Sequence, residues 1–146
     1  MPGMNIDSGP KLTKRRTEPS EHQMQAAVIQ WWRLNCKRFY IDERLLFAIP
    51  NGGARNAITG SLLKAEGVRK GVPDLFLAVR SSPGDGTAYR NGCFIEMKRK
   101  GGKISQEQTS YLRELANEGY EAHVCYTVDA AIKELERYAS GYCPPF

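Results

Sequence analysis

Two short stretches hold residue types that do phosphoryl chemistry when they are brought together. The first is Val72-Pro73-Asp74, at the head of an apolar run, and the second is Phe94-Ile95-Glu96-Met97-Lys98. Side chains alternate faces along a strand, so Glu96 and Lys98 share one face while Ile95 and Met97 share the other. If the runs bearing Asp74 and Glu96 are neighbouring strands, two carboxylates and an ammonium converge at one sheet edge. Paired carboxylates with room for water suit Mg²⁺, which binds through one or two carboxylates, several waters and substrate phosphates. Such an ion polarises a phosphoryl oxygen and lowers the pKa of a bound water. Lys98 would orient that water or stabilise charge in the transition state. Each half alone has a plainer meaning: Pro-Asp opens many strands, and Glu-x-Lys on a strand is commonly a solvated pair worth ~0–1 kcal/mol.

Two polar residues interrupt otherwise apolar helical stripes. Glu21 precedes Met24 and Val28 on one face, and Gln108 lies between Ile104 and the pair Tyr111 and Leu112. A polar side chain turned inward needs a partner. Glu21 also suits a first-turn acid held by the helix dipole, and Gln108 suits an amide bonded to nearby backbone. Two basic loops complete the set. Lys98-Arg99-Lys100-Gly101-Gly102-Lys103 follows the strand bearing Glu96, and Asn51-Gly52-Gly53-Ala54-Arg55 offers an arginine suited to bidentate phosphate contact. Arg55, Arg99, Lys100 and Lys103 are the expected phosphate contacts. Neither loop fits a nucleotide-binding motif. His22 and His123 are too isolated for a zinc site, and His123 and Cys125 read as packing residues of one strand.

The elements that must position these groups follow from periodicity. Ser20 and Gln23 have the spacing of a capping box, and Met24, Val28 and Trp31 or Trp32 recur at helical spacing to about Arg38. Leu45–Ile49 reads as a short strand, about Ile58–Glu66 as a short helix closed at Gly67, and Leu75–Val79 as a buried strand. The Gly/Pro/Ser-rich segment 81–89 suggests a hairpin into a strand over Cys93–Lys98. Ser105 caps a second long helix with Ile104, Tyr111, Leu112 and Leu115 on one face. A strand over Glu121–Tyr126 and a helix over Val128–Tyr138 follow. A helical crossover makes the strands at Cys93–Lys98 and Glu121–Tyr126 parallel. The expectation is an α/β domain at residues 20–140, with a mixed four-stranded sheet flanked by helices. A basic arm (residues 1–19, with Lys11, Lys14, Arg15 and Arg16) precedes it, and a tail (141–146) follows.

Composition bounds the partners. The chain has 146 residues with 41% hydrophobic and 25% charged residues, the balance of one globular domain. No run reaches the ~18 apolar residues of a membrane span, and residues 1–20 lack a signal peptide's apolar stretch. Cys36, Cys93, Cys125 and Cys143 form no Cys-x-x-Cys pair. A reducing cytoplasm therefore fits. A net charge of +5 leans toward an anionic partner.

Asn51-Gly52-Gly53-x-Arg55, Gly71-Val72-Pro73-Asp74, Phe94-Ile95-Glu96-Met97-Lys98 and Ser105-x-x-Gln108 together resemble the VRR-NUC family, the virus-type replication–repair nucleases of the PD-(D/E)xK superfamily. The resemblance spans roughly residues 20–139. It implies a PD-(D/E)xK core and Mg²⁺- or Mn²⁺-dependent hydrolysis of DNA phosphodiesters. It makes Asp74 and Glu96 the metal carboxylates, the Met97 carbonyl a backbone ligand and Lys98 the catalytic lysine. Glu21 matches the family's helix-one acid, and Gln108 its glutamine after the lysine strand, so the resemblance adds both to the expected catalytic set with Asp74, Glu96 and Lys98. Members this short resemble phage and bacterial proteins that dimerise and cut branched DNA such as four-way (Holliday) junctions, in a bacterial or phage-infected cytoplasm. A nuclease for flaps, ends or nicked duplex is the alternative within the class, and a catalytically weak DNA-binding module the alternative outside it. An RNA-binding module would need an aromatic strand that is absent here.

Overall fold

The computed structural model describes residues 17–50, 57–84 and 88–145. Helix α1 (Glu21–Asn35) starts at a reciprocal cap: Gln23 N–H donates to Ser20 Oγ (3.1 Å) and Ser20 N–H to Gln23 Oε1 (2.9 Å). Met24, Val28 and Trp32, four apart, form its buried stripe, and Trp32 Nε1–H donates to the Glu43 carbonyl at 3.1 Å. A 3₁₀ turn (Cys36–Phe39) prolongs α1 and ends at Tyr40, whose φ of 60° turns the chain away.

The sheet contains β1 (Leu46–Ala48), β2 (Leu75–Leu77), β3 (Cys93–Met97) and β4 (Glu121–Cys125), in that spatial order. The first three pair with one another antiparallel, and β4 lies parallel to β3. This is the meander plus helical crossover that the element order predicts. The strands are shorter than the apolar runs suggest. Beyond Leu77 the hairpin continues only as a bridge between Ser81 and Arg90, and Ser81 also bridges Tyr142 near the chain's end.

Alternation divides the sheet into unequal faces. Leu75, Leu77, Cys93, Ile95, Met97 and Cys125 lie buried against α1 and against α4 (Val128–Ser140), which contributes Ala131, Leu135, Tyr138 and Ala139. The buried Tyr138 hydroxyl donates to the Val79 carbonyl at 2.8 Å, and Ser81 Oγ–H to the Tyr138 carbonyl at 2.5 Å, tying the hairpin to α4. The opposite face holds Phe76 and Phe94, stacked with ring centroids 4.2 Å apart. It is covered by α3 (Gln106–Asn117), which packs against β4. Because α3 sits over an edge strand, none of its residues is fully buried; Tyr111, Leu112 and Leu115 are half-buried. The short helix α2 (Ala57–Ala65) joins β1 to β2 and has Ile58 and Leu62 exposed.

Candidate active site

The β2–β3 register sets Leu75 opposite Ile95 and Phe76 opposite Phe94. Carried one residue further, it places Asp74 opposite Glu96 on the face covered by α3. Asp74 Oδ2 accepts the Met97 N–H at 2.8 Å, so the first carboxylate is locked to the strand that bears the second. Glu96 is 3% exposed. Its Oε1 lies 3.2 Å from Lys98 Nζ and accepts from Gln108 Nε2 at 2.5 Å. The Lys98 side chain is itself largely buried. Among the described residues, Glu96 Oε2 is buried and has no hydrogen-bond partner.

The helices bring in the other predicted groups. Gln108 occupies the third position of α3, where its Oε1 closes a capping box on the Ser105 N–H (3.0 Å) and its amide nitrogen reaches Glu96. It therefore serves both roles foreseen for it, backbone bonding and an inward contact. Gly71 makes that approach possible. Its φ is +87°, and an added Cβ would lie 2.8 Å from the Glu107 carbonyl group, so the loop leading to Asp74 rests on the first turn of α3. From the other side, Glu21 Oε1 accepts the Arg99 N–H at 3.3 Å. Arg99, Lys100 and Lys103 are exposed at the mouth of the site, and among the described residues their side chains form no ion pair. Arg55 and its loop, and the basic cluster at residues 11–16, lie outside the described residues.

The electrostatics are those of crowded acids. Burial, and then the charge of Asp74, pushes the Glu96 carboxyl up to about 7, although Lys98 pulls the other way. Asp74 is likewise raised by burial, with the Met97 N–H and Lys98 opposing and Glu21 adding to the rise. A buried, unpartnered carboxylate oxygen beside a second raised carboxyl fits a hard divalent cation, because oxygen donors of net negative charge are what such an ion takes. Asp74 and Glu96 are the side chains able to hold it. The amide of Met97 meets the site through its N–H.

A second polar cluster lies on the other face, at the far end of β4. Pairing of β3 with β4 aligns Cys93 with Glu121, and ligand atoms of Cys93, Glu121 and His123 fall within 4.8 Å of one another. His123 is thus no packing residue: its Nε2 lies 2.8 Å from Glu121 Oε2 and 3.7 Å from Glu134 Oε2. Cys125, by contrast, is buried as expected. Arg137 pairs with both Glu121 and Glu134. Burial pushes Glu121 upward, but hydrogen bonds from Arg137 and His123 outweigh it and hold the carboxyl below its usual range. Burial also keeps the Cys93 thiol protonated. The cluster is an ion network that anchors α4 to β4 through Arg137. Its partners come from three elements; the Glu134–Arg137 spacing on a helix and the Glu121–His123 alternation on a strand are its signals in the sequence.

Comparison with known proteins adds to this geometry. The family model of the VRR-NUC domain matches residues 11–129. A solved structure of a VRR_NUC domain protein superposes with a TM-score of 0.68 at 23% identity, covering 86% of this chain and 93% of that one, a likeness of fold. No curated protein matches the sequence.

Proposed function

The chain belongs to the VRR-NUC domain family and so has a nuclease-type domain, and on that premise we propose that it is a Mg²⁺- or Mn²⁺-dependent deoxyribonuclease. In this reading it selects DNA by shape and cuts branched forms such as four-way junctions in replication, repair or recombination. The observation that carries it is the orphaned, buried Glu96 Oε2 beside Asp74, with Lys98 on the other Glu96 oxygen. Asp74 and Glu96 hold the ion, joined by the Met97 carbonyl. When bound, the ion supplies a Lewis acid for a phosphoryl oxygen and a water of lowered pKa. Lys98, with its Nζ 3.2 Å from Glu96 Oε1, faces the charge that develops on the phosphorane. Gln108 and Glu21 are positioning residues: one fixes the Glu96 carboxylate, the other the backbone after Lys98. Arg99, Lys100 and Lys103, with Arg55, meet flanking phosphates.

Asp74→Asn and Glu96→Gln test the assignment. Each is expected to abolish metal-dependent cleavage of a panel of four-way junction, flap and linear duplex, and to weaken Mg²⁺ or Mn²⁺ binding in isothermal titration, while circular dichroism stays native. Unchanged metal affinity in both variants overturns the metal assignment. Wild-type protein that binds the panel without cutting it, with or without metal, is a DNA-binding module instead.

A further inference from the structure

Behind the catalytic lysine, the starts of α1 and α4 and the chain after Lys98 border an open cavity of about 270 Å³. Met24, Pro19 and Val128 give it apolar walls, Tyr126 stands at its side 42% exposed, and Arg99 and Lys100 form a cationic rim. Glu18 and Thr127 complete the lining. The cavity adjoins the acidic site through the backbone. Lys98 N–H donates to the Cys125 carbonyl at 2.9 Å, directly before Tyr126, and Arg99 N–H donates to Glu21. It falls just short of the ~300 Å³ where drug-sized pockets begin, a scale suited to a single ring system. Apolar walls, an exposed phenol ring and guanidinium and ammonium groups at the lip match a planar base inside with its phosphates outside.

We propose that this cavity is a subsite for one unstacked nucleobase next to the scissile phosphate, with Tyr126 as its stacking platform; the proposal rests on the nuclease reading above. It gives shape selection a physical source. A paired duplex keeps its bases stacked and must unstack one to fill the cavity, whereas a flap offers a base already freed and a branch point, where stacking is interrupted, frees one at lower cost. Stacking on tyrosine tolerates any base, so selection follows structure and not sequence.

A coupling cycle tests it. Binding to a four-way junction is measured with Ca²⁺ replacing Mg²⁺ to hold off cleavage, and an abasic nucleotide is placed in turn at each position flanking the branch. For the wild type, one position is expected to cost about ten-fold in affinity, the scale of one lost base–aromatic stack. Tyr126→Leu is expected to cost about as much on the intact junction and to be insensitive to the same abasic substitution, while Tyr126→Phe restores both values. A wild type indifferent to every abasic position, or losses that simply add in Tyr126→Leu, overturns the subsite; junction cleavage that persists then leaves the nuclease reading standing. A wild type that binds no DNA overturns both.

Discussion

At the scale of single residues, Glu96 is a buried acid set against a second acid. It is almost fully buried, faces Asp74, and leaves one oxygen unbonded. Its carboxyl rises from the ordinary 4.5 to about 7 on folding. Between those values the folded chain binds more protons than the unfolded one, so this residue's contribution to stability is full below about 4.5 and is lost as pH rises through about 7. Metal-free melting curves for the wild type and Glu96→Gln should therefore diverge with pH, the variant gaining most at pH 8. Mg²⁺ should raise the melting temperature of the wild type and leave the variant unmoved, because binding to the folded state alone stabilises it. A pH-independent gap would mean that the carboxyl titrates normally. Lys98, 3.2 Å from Glu96, belongs to the same argument. Lys98→Ala should lower the single-turnover rate at saturating metal by at least ~10²-fold, the scale of one electrostatic or acid–base contributor. A much smaller loss would make Lys98 a phosphate contact only.

At the scale of elements, the site depends on a loop and a helix held closely together. Gly71→Ala would force a side chain into a left-handed turn and onto the Glu107 backbone. The expected cost is roughly 1–3 kcal/mol in urea unfolding, as for other strained backbone positions; full stability would show that the turn relaxes freely. The same region shows what a sequence reveals locally and what it hides. The capping boxes at Ser20 and Ser105, the helix stripes and the shared face of Glu96 and Lys98 lie within single elements, so spacing alone discloses them. The approach of Gly71 to α3 was invisible, since it joins residues of different elements. So was the meeting of Cys93, Glu121 and His123, which depends on the β3–β4 register. Tyr126 gave no signal either, because its neighbours in the cavity come from the starts of two helices far apart in the chain. The half-buried α3 misled differently: its stripe is real, but the edge strand beneath is too narrow to cover it.

At the scale of the whole molecule, the proposed reading asks one small domain to choose DNA and cut two strands. The sheet and its helices take up residues 21–140, and no described helix is long and apolar enough to cross a membrane. Among the described residues, every helix flanks the sheet or links its strands, so none forms a separate unit built to read base edges. Phosphate contacts from Arg99, Lys100 and Lys103 would fix position without conveying sequence. On the proposed reading, selection comes from the geometry of the DNA. One chain has one Asp74–Glu96 pair, and two strands of a junction are related by near-twofold symmetry, so on the proposed reading a symmetric pair of chains would match such a substrate. The expected outcome is a homodimer in sedimentation at assay concentrations that cuts a four-way junction well and linear duplex poorly, with little change when the sequence around the branch is permuted. Mixing wild type with excess Glu96→Gln should leave junctions nicked on one strand, since each heterodimer carries one working site. A monomer that cuts linear duplex as fast as junction would exclude this arrangement. A strong dependence on the permuted sequence would show that base edges are read after all.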